Sequence, residues 1–212
     1  MNGDGMHIAI IGASAGTGLL CVQQALARGH EVTTLSRHVE SLPRHDQLHA
    51  LRGDARKPGD TASAVAAADA VLVTLGTGRS LRATTLFSES ATALLQALAG
   101  RDVPLIVLSG FGAGDSRTFQ PAPVRVLFGL FLGRVYADKN AMERMLAAGY
   151  RHWEMVRPGV LTDGPATGRY RVLTRLQAGM HVGRIARADV AAFMVAQAEA
   201  PSCLGLYPVL TN

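Results

Sequence analysis

The chain has 212 residues, 48% hydrophobic, 5% aromatic and 17% charged, with a formal net charge of +5. That length supports one domain with a sizeable buried core, and no uninterrupted apolar run approaches the roughly 18–20 residues of a membrane span. Lys and Arg are scattered and aromatics few, which argues against a nucleic-acid surface; the basic balance suits a phosphate-bearing small ligand equally well.

The opening segment "MNGDGMHIAIIGAS" lacks a basic region ahead of its apolar run, so it does not read as a secretory signal, and a cytoplasmic protein is expected. From there the pattern alternates. "HIAIIGA" (7–13) reads as a buried strand and "GLLCVQQALARG" (18–29) as a helix ending at Gly29. "EVTTLSR" (31–37) is a second strand, "LHALRGD" (48–54) a weaker third, and "DTASAVAAA" (60–68) a short helix. "DAVLVTLGT" (69–77) is a buried strand before the helix "TTLFSESATALLQALAG" (84–100), and "VPLIVLSG" (103–110) a further strand. "DKNAMERMLAAG" (138–149) reads as a helix capped by Asp138, "HWEMVRPG" (152–159) as a strand and "RADVAAFMVAQAEA" (187–200) as a late helix.

Such alternation predicts an α/β fold: a Rossmann-type, doubly wound parallel sheet in a single domain over residues 1–212. Two stretches fall outside it, 110–135 and 160–186. Both are expected as loops overhanging the carboxyl edge of the sheet, where ligands of such sheets bind. Within the first, "PVRVLFGLFLGRV" (123–135) is apolar enough for core packing, a pocket cap or an oligomer contact. Cys21 and Cys203, without a CxxC spacing, are expected to be reduced and structural. Of seven histidines only His45 and His49 lie at helical spacing, without acidic or cysteine partners, so no metal is expected.

"IIGASAGTG" places Gly12, Gly16 and Gly18 where the first strand turns into the first helix. Gly12 permits a tight turn, Gly16 lets the backbone approach a pyrophosphate, and Gly18 lets the helix pack closely. "TLSRH" then ends the second strand with Ser36, Arg37 and His38, where an acidic residue would bind the ribose hydroxyls of NAD. A guanidinium there pairs with a 2′-phosphate, which points to NADP(H). Asp54, closing the third strand, can accept from an adenine amino group, and Leu75, Gly76 and Thr77 would flank the adenosine.

The segments "IIGASAGTG", "VTTLSRHVESLP", "RGDA", "VLVTLGTGRSL", "TTLFSESATALLQAL", "ATGRYRV" and "ARADVAAFM" resemble the atypical short-chain dehydrogenase/reductases with an NAD(P)H-binding domain. Within that group the similarity is greatest to the flavin reductases of the biliverdin reductase B type and their bacterial relatives. The resemblance implies an NADPH-dependent reductase of flavins or similar conjugated acceptors. It carries cofactor contacts onto Gly12, Ser14, Thr17, Gly18, Arg37, Asp54, Leu75, Gly76, Thr77 and Ser109; Ala15, Gly16, Ala55 and Pro158, Gly159 and Val160 of "RPGV" complete the expected cofactor site.

"GRVYADKNAM" holds Tyr136 and Lys139 three residues apart, whereas the acid pair of short-chain dehydrogenases spans four. One residue rotates a side chain by roughly 100° around a helix, and a cap at Asp138 would leave Tyr136 outside it. Tyr136 therefore reads as packing or pocket lining. Lys139 and Ser109 are the candidate catalytic residues at the nicotinamide side, although an exposed Lys139–Glu143 pair and a strand-end serine satisfying backbone are competing readings.

Without a tyrosine acid, alcohol oxidation and nucleotide-sugar epimerisation are disfavoured. Hydride delivery to a flavin or quinone needs positioning more than a dedicated acid. The alternative is an NmrA-like sensor that binds NADP(H) without turnover and signals through a protein partner. As an enzyme the chain needs only a small-molecule acceptor, with no nucleic acid or membrane, and acts as a monomer or small homo-oligomer.

Overall fold

The computed structural model describes residues 5–78, 80, 82–119, 122–177 and 180–212, with 122–132 described through the backbone. The strands are β1 (His7–Ile11), β2 (Glu31–Ser36), β3 (Leu48–Arg52), β4 (Ala70–Val73), β5 (Leu105–Leu108), β6 (Trp153–Pro158), β7 (Val160–Thr162), β8 (Arg171–Leu173), β9 (Arg184–Ala186) and β10 (Val209–Thr211). The α-helices are α1 (Gly16–Ala27), α2 (Pro58–Val65), α3 (Leu86–Ala97), α4 (Ala122–Gly149) and α5 (Arg187–Glu199).

Eight strands form one sheet in the order β3-β2-β1-β4-β5-β6-β10-β8, parallel throughout except for β8 at the edge. The order reverses between β1 and β4, the switch point that opens a crevice beyond the strand ends. Alternation of side chains splits the sheet's apolar residues between two faces. Ile8 and Ile10 join α1 and α5 in one core, while Ala9 and Ile11 join α2, α3 and α4 in the other. This is why β1 reads as an unbroken apolar run: parallel strands covered on both faces bury every residue. β3, at the edge, keeps no fully buried residue, and its pattern is correspondingly faint.

Three sequence expectations change. Helix α4 begins at Ala122, so 122–135 is helical rather than loop. Beyond Pro123, in the tolerated first turn, no proline interrupts the chain before Gly149. Asp138 consequently lies inside α4 and does not cap it. Its carboxylate instead accepts from the backbone N–H of Phe87 (2.9 Å) and Ser88 (3.3 Å), capping α3 from outside. The stretch 160–186 carries β7, β8 and β9, with β7 and β9 forming a parallel pair of their own. In the same region Asp189 is fully buried and accepts from Thr167 N–H, Gly168 N–H and Thr167 Oγ1. "TGRY" and "ARAD" thus meet in one structural clasp.

Cys21 and Cys203 are free and buried, and burial pushes the Cys21 thiol up to about 12. His49 Nε2 lies 2.7 Å from Glu31 Oε1, and His45 Nδ1 accepts from Gln47 N–H. Among the described residues there is no group of three or more His, Cys, Asp or Glu placed to hold a metal, and no helix long and apolar enough to cross a membrane.

Candidate functional site

A cavity of about 760 Å³ opens at the carboxyl edge, walled by the residues that follow β1, β2, β4 and β5. The glycine turn forms its floor. Gly12 has φ +92°, and a Cβ there would press on the backbone of Leu75. At Gly18 a Cβ would collide with the Gly12 carbonyl and with Thr74 Oγ1, which itself donates to the Ile11 and Gly12 carbonyls. Gly18 is therefore a packing glycine beneath the turn and does not line the cavity. Gly16, at φ +56°, faces the cavity, and no backbone lies within 4 Å of where its Cβ would be.

Ala15 precedes α1 without a side-chain cap, and the first turn carries no acidic residue. The N–H groups of Gly16, Thr17 and Gly18 therefore lack helical acceptors, at the positive end of the helix dipole. Ser36 Oγ accepts from Ala13 N–H at 2.9 Å, tying β2 to the turn. Ser41 Oγ donates to the Ser14 carbonyl at 2.6 Å.

Arg37 and His38, both exposed, form the wall beyond β2, with Asp54 and Ala55 beside them. Arg56 donates to both carboxylate oxygens of Asp54, at 2.5–3.1 Å, and these hydrogen bonds hold the carboxyl down at about 2. Among the described residues of the wall, the one acidic side chain is thereby already paired. Leu75, Gly76 and Thr77 line the next section.

The far wall is built by Ser109, Phe87, Tyr136 and Lys139. Ser109 is 5% exposed, and among the described residues its Oγ has no hydrogen-bond partner. Buried hydroxyls are normally satisfied, so an orphan at a cavity wall fits a group that a ligand would complete. Lys139 Nζ donates to the Ser109 carbonyl at 2.8 Å and lies 5.1 Å from the Phe87 ring centroid. Desolvation pulls its ammonium down to about 8, against the opposing effect of Glu143.

Tyr136 and Lys139 do share α4, but Nζ lies over the tyrosine ring, 5.5 Å from its centroid. Burial, and secondarily Glu143, push the phenol up to about 12. Glu143 is no exposed helix partner for Lys139: at 3% exposure it accepts from Arg157 Nη2 at 2.7 Å and Nε at 3.1 Å.

Besides Gly18, three more expected residues lie off the cavity. A Cβ on Gly159 would strike the Gly183 carbonyl, Val160 is 64% exposed, and Pro158 ends β6 without reaching the wall. Leu161 faces the cavity in their place, and Arg187, unforeseen, completes the rim. Both are set by the β7–β9 pairing, which joins residues more than 20 positions apart. A cation in a helix's first turn, as in "ARAD", was the readable signal, because the helix dipole disfavours it there.

A family model described as NAD(P)H-binding matches residues 12–201. The structure is similar to ChuY, an anaerobilin reductase of Escherichia coli O157:H7, with 25% identity, coverage of 97% of this chain and 96% of that one, and a TM-score of 0.77. It also resembles a short-chain dehydrogenase/reductase of Veillonella parvula in complex with NADP (15% identity, 98% and 94% coverage, TM-score 0.81). A putative NADH-flavin reductase of Streptococcus pneumoniae, SP1627, is similar too (22% identity, 98% and 100% coverage, TM-score 0.76). With an open glycine turn, an uncapped helix start and a mostly parallel sheet reversing at β1 and β4, this chain belongs to the NAD(P)H-binding family and has its oxidoreductase fold.

Proposed function

We propose that this chain is an NADPH-dependent reductase that passes a hydride to a flavin, a quinone or a similar conjugated acceptor. The observation that carries the cofactor choice is Arg37: a guanidinium, and among the described residues no unpaired carboxylate, stands on the cavity wall at the end of β2. A charged hydrogen bond to a 2′-phosphate contributes roughly 1.5–3 kcal/mol, a preference for NADPH over NADH of about tenfold or more.

In this reading Gly12, Ser14, Ala15, Gly16 and Thr17 hold the pyrophosphate against the start of α1. Ser36 supports the turn, Arg37 and His38 take the 2′-phosphate side, and Asp54, Ala55, Leu75, Gly76 and Thr77 enclose the adenosine. Bound there, the dihydronicotinamide supplies the hydride. Ser109 Oγ orients the reacting end, and Lys139 holds a proton at Nζ within the same wall, available to the reduced acceptor. Tyr136, with its phenol raised to about 12 and the lysine over its ring, is read as packing and not as the acid. The reductase neighbours point the same way for the acceptor class.

The test is NADPH oxidation by purified protein against FMN, riboflavin, a small quinone and anaerobilin. Saturable turnover with at least one acceptor is expected. Tight NADPH binding with no turnover across the panel would overturn the reductase in favour of a cofactor sensor.

A further inference from the structure

Arg187 opens α5 and reaches back over the glycine turn of α1. Its Cδ and Nε both lie 3.8 Å from where a Cβ of Gly16 would be. Its Nη1 donates to Asp163 Oδ1 at 2.5 Å, just beyond β7. As a stabilising ion pair this is poor, because the Asp163 side chain is 90% exposed and water screens it. The arginine also sits at the positive end of its own helix and faces the positive end of α1, a placement that repels a cation unless an anion lies between them.

We infer that Arg187 forms the second wall of the pyrophosphate site, opposite the glycine turn. Asp163 fixes the guanidinium through Nη1, which leaves the Nε and Nη2 donors for the phosphates; only a planar fork can serve both partners at once. The inference rests on the cavity being the NAD(P)H site. It assigns Arg187 to the cofactor and not to an acidic group on the acceptor, because Arg187 stands over Gly16, whereas the reacting end is built by Ser109 and Lys139 from β5 and α4.

Calorimetric titration of wild type, R187A, R187K and D163A with NADPH, NADH and adenosine 2′-monophosphate tests this. The last probe keeps the 2′-phosphate and lacks the pyrophosphate. R187A is expected to weaken NADPH and NADH alike, by roughly tenfold or more, and to leave adenosine 2′-monophosphate unchanged. R187K should recover only part of the loss, and D163A should show a smaller loss in the same direction. Unchanged dinucleotide affinity in R187A overturns the inference, as does a defect confined to the acceptor KM. If wild type binds neither dinucleotide, the cofactor reading itself fails and takes the inference with it.

Discussion

Lys139 shows how a single side chain acquires a role from its surroundings. Half-buried beside two aromatic rings and held to the Ser109 carbonyl, it has its ammonium pulled down by desolvation to about 8. A lowered lysine pKa means that the charged form persists below about 8 and is lost above it. NADPH oxidation should therefore fall as pH rises through 8, and K139M should be slower by roughly 10²-fold and lack that limb. A wild-type rate that stays flat to pH 10 would remove Lys139 from the chemistry. At this scale the places of Gly12, Arg37 and Ser109 on the cavity wall were legible, because each directly follows a strand. The places of Leu161 and Arg187 depend on pairing between distant short strands, and only the cation in the first turn of α5 pointed to one of them.

Asp138 makes the corresponding point for elements. Placed before "KNAMERMLAAG", an aspartate has the composition of an N-cap, and the local pattern offers nothing against that reading. The acceptor role is real, but the helix it caps begins about 50 residues earlier. Side-chain capping is a contact between groups in space, and a sequence window sees only the local candidates. D138A should destabilise the fold by about 1–2 kcal/mol in urea unfolding, because two N–H groups of α3 lose their acceptor. D138N, which keeps one acceptor oxygen, should retain much of it. Equal stability of wild type and D138A would show that Asp138 contributes no cap. The start of α4 was misplaced for a related reason: "FGLFLG" carries glycines that weaken a helical pattern without ending the helix.

The whole molecule was the most legible level, since strand–helix alternation and buried apolar runs leave few topologies other than a doubly wound sheet. Its core nevertheless holds a group no pattern announces. Glu154, on β6, is fully buried, both its carboxylate oxygens lack partners among the described residues, and burial raises its pKa to about 8. A raised folded-state value favours the fold below the ordinary carboxylate pKa, and the advantage disappears as pH rises to 8. Wild type should lose on the order of a few kcal/mol over that interval, and E154Q should not. Parallel stability profiles for the two would mean that Glu154 ionises without cost. The account as a whole turns on what the cavity holds, and titration of wild type and R37A with NADPH and NADH tests it most directly. NADPH should bind wild type at least about tenfold more tightly than NADH, and R37A should abolish the difference by weakening NADPH alone. Equal affinities in wild type, or equal losses in R37A, would contradict the assignment of this cavity to NADPH.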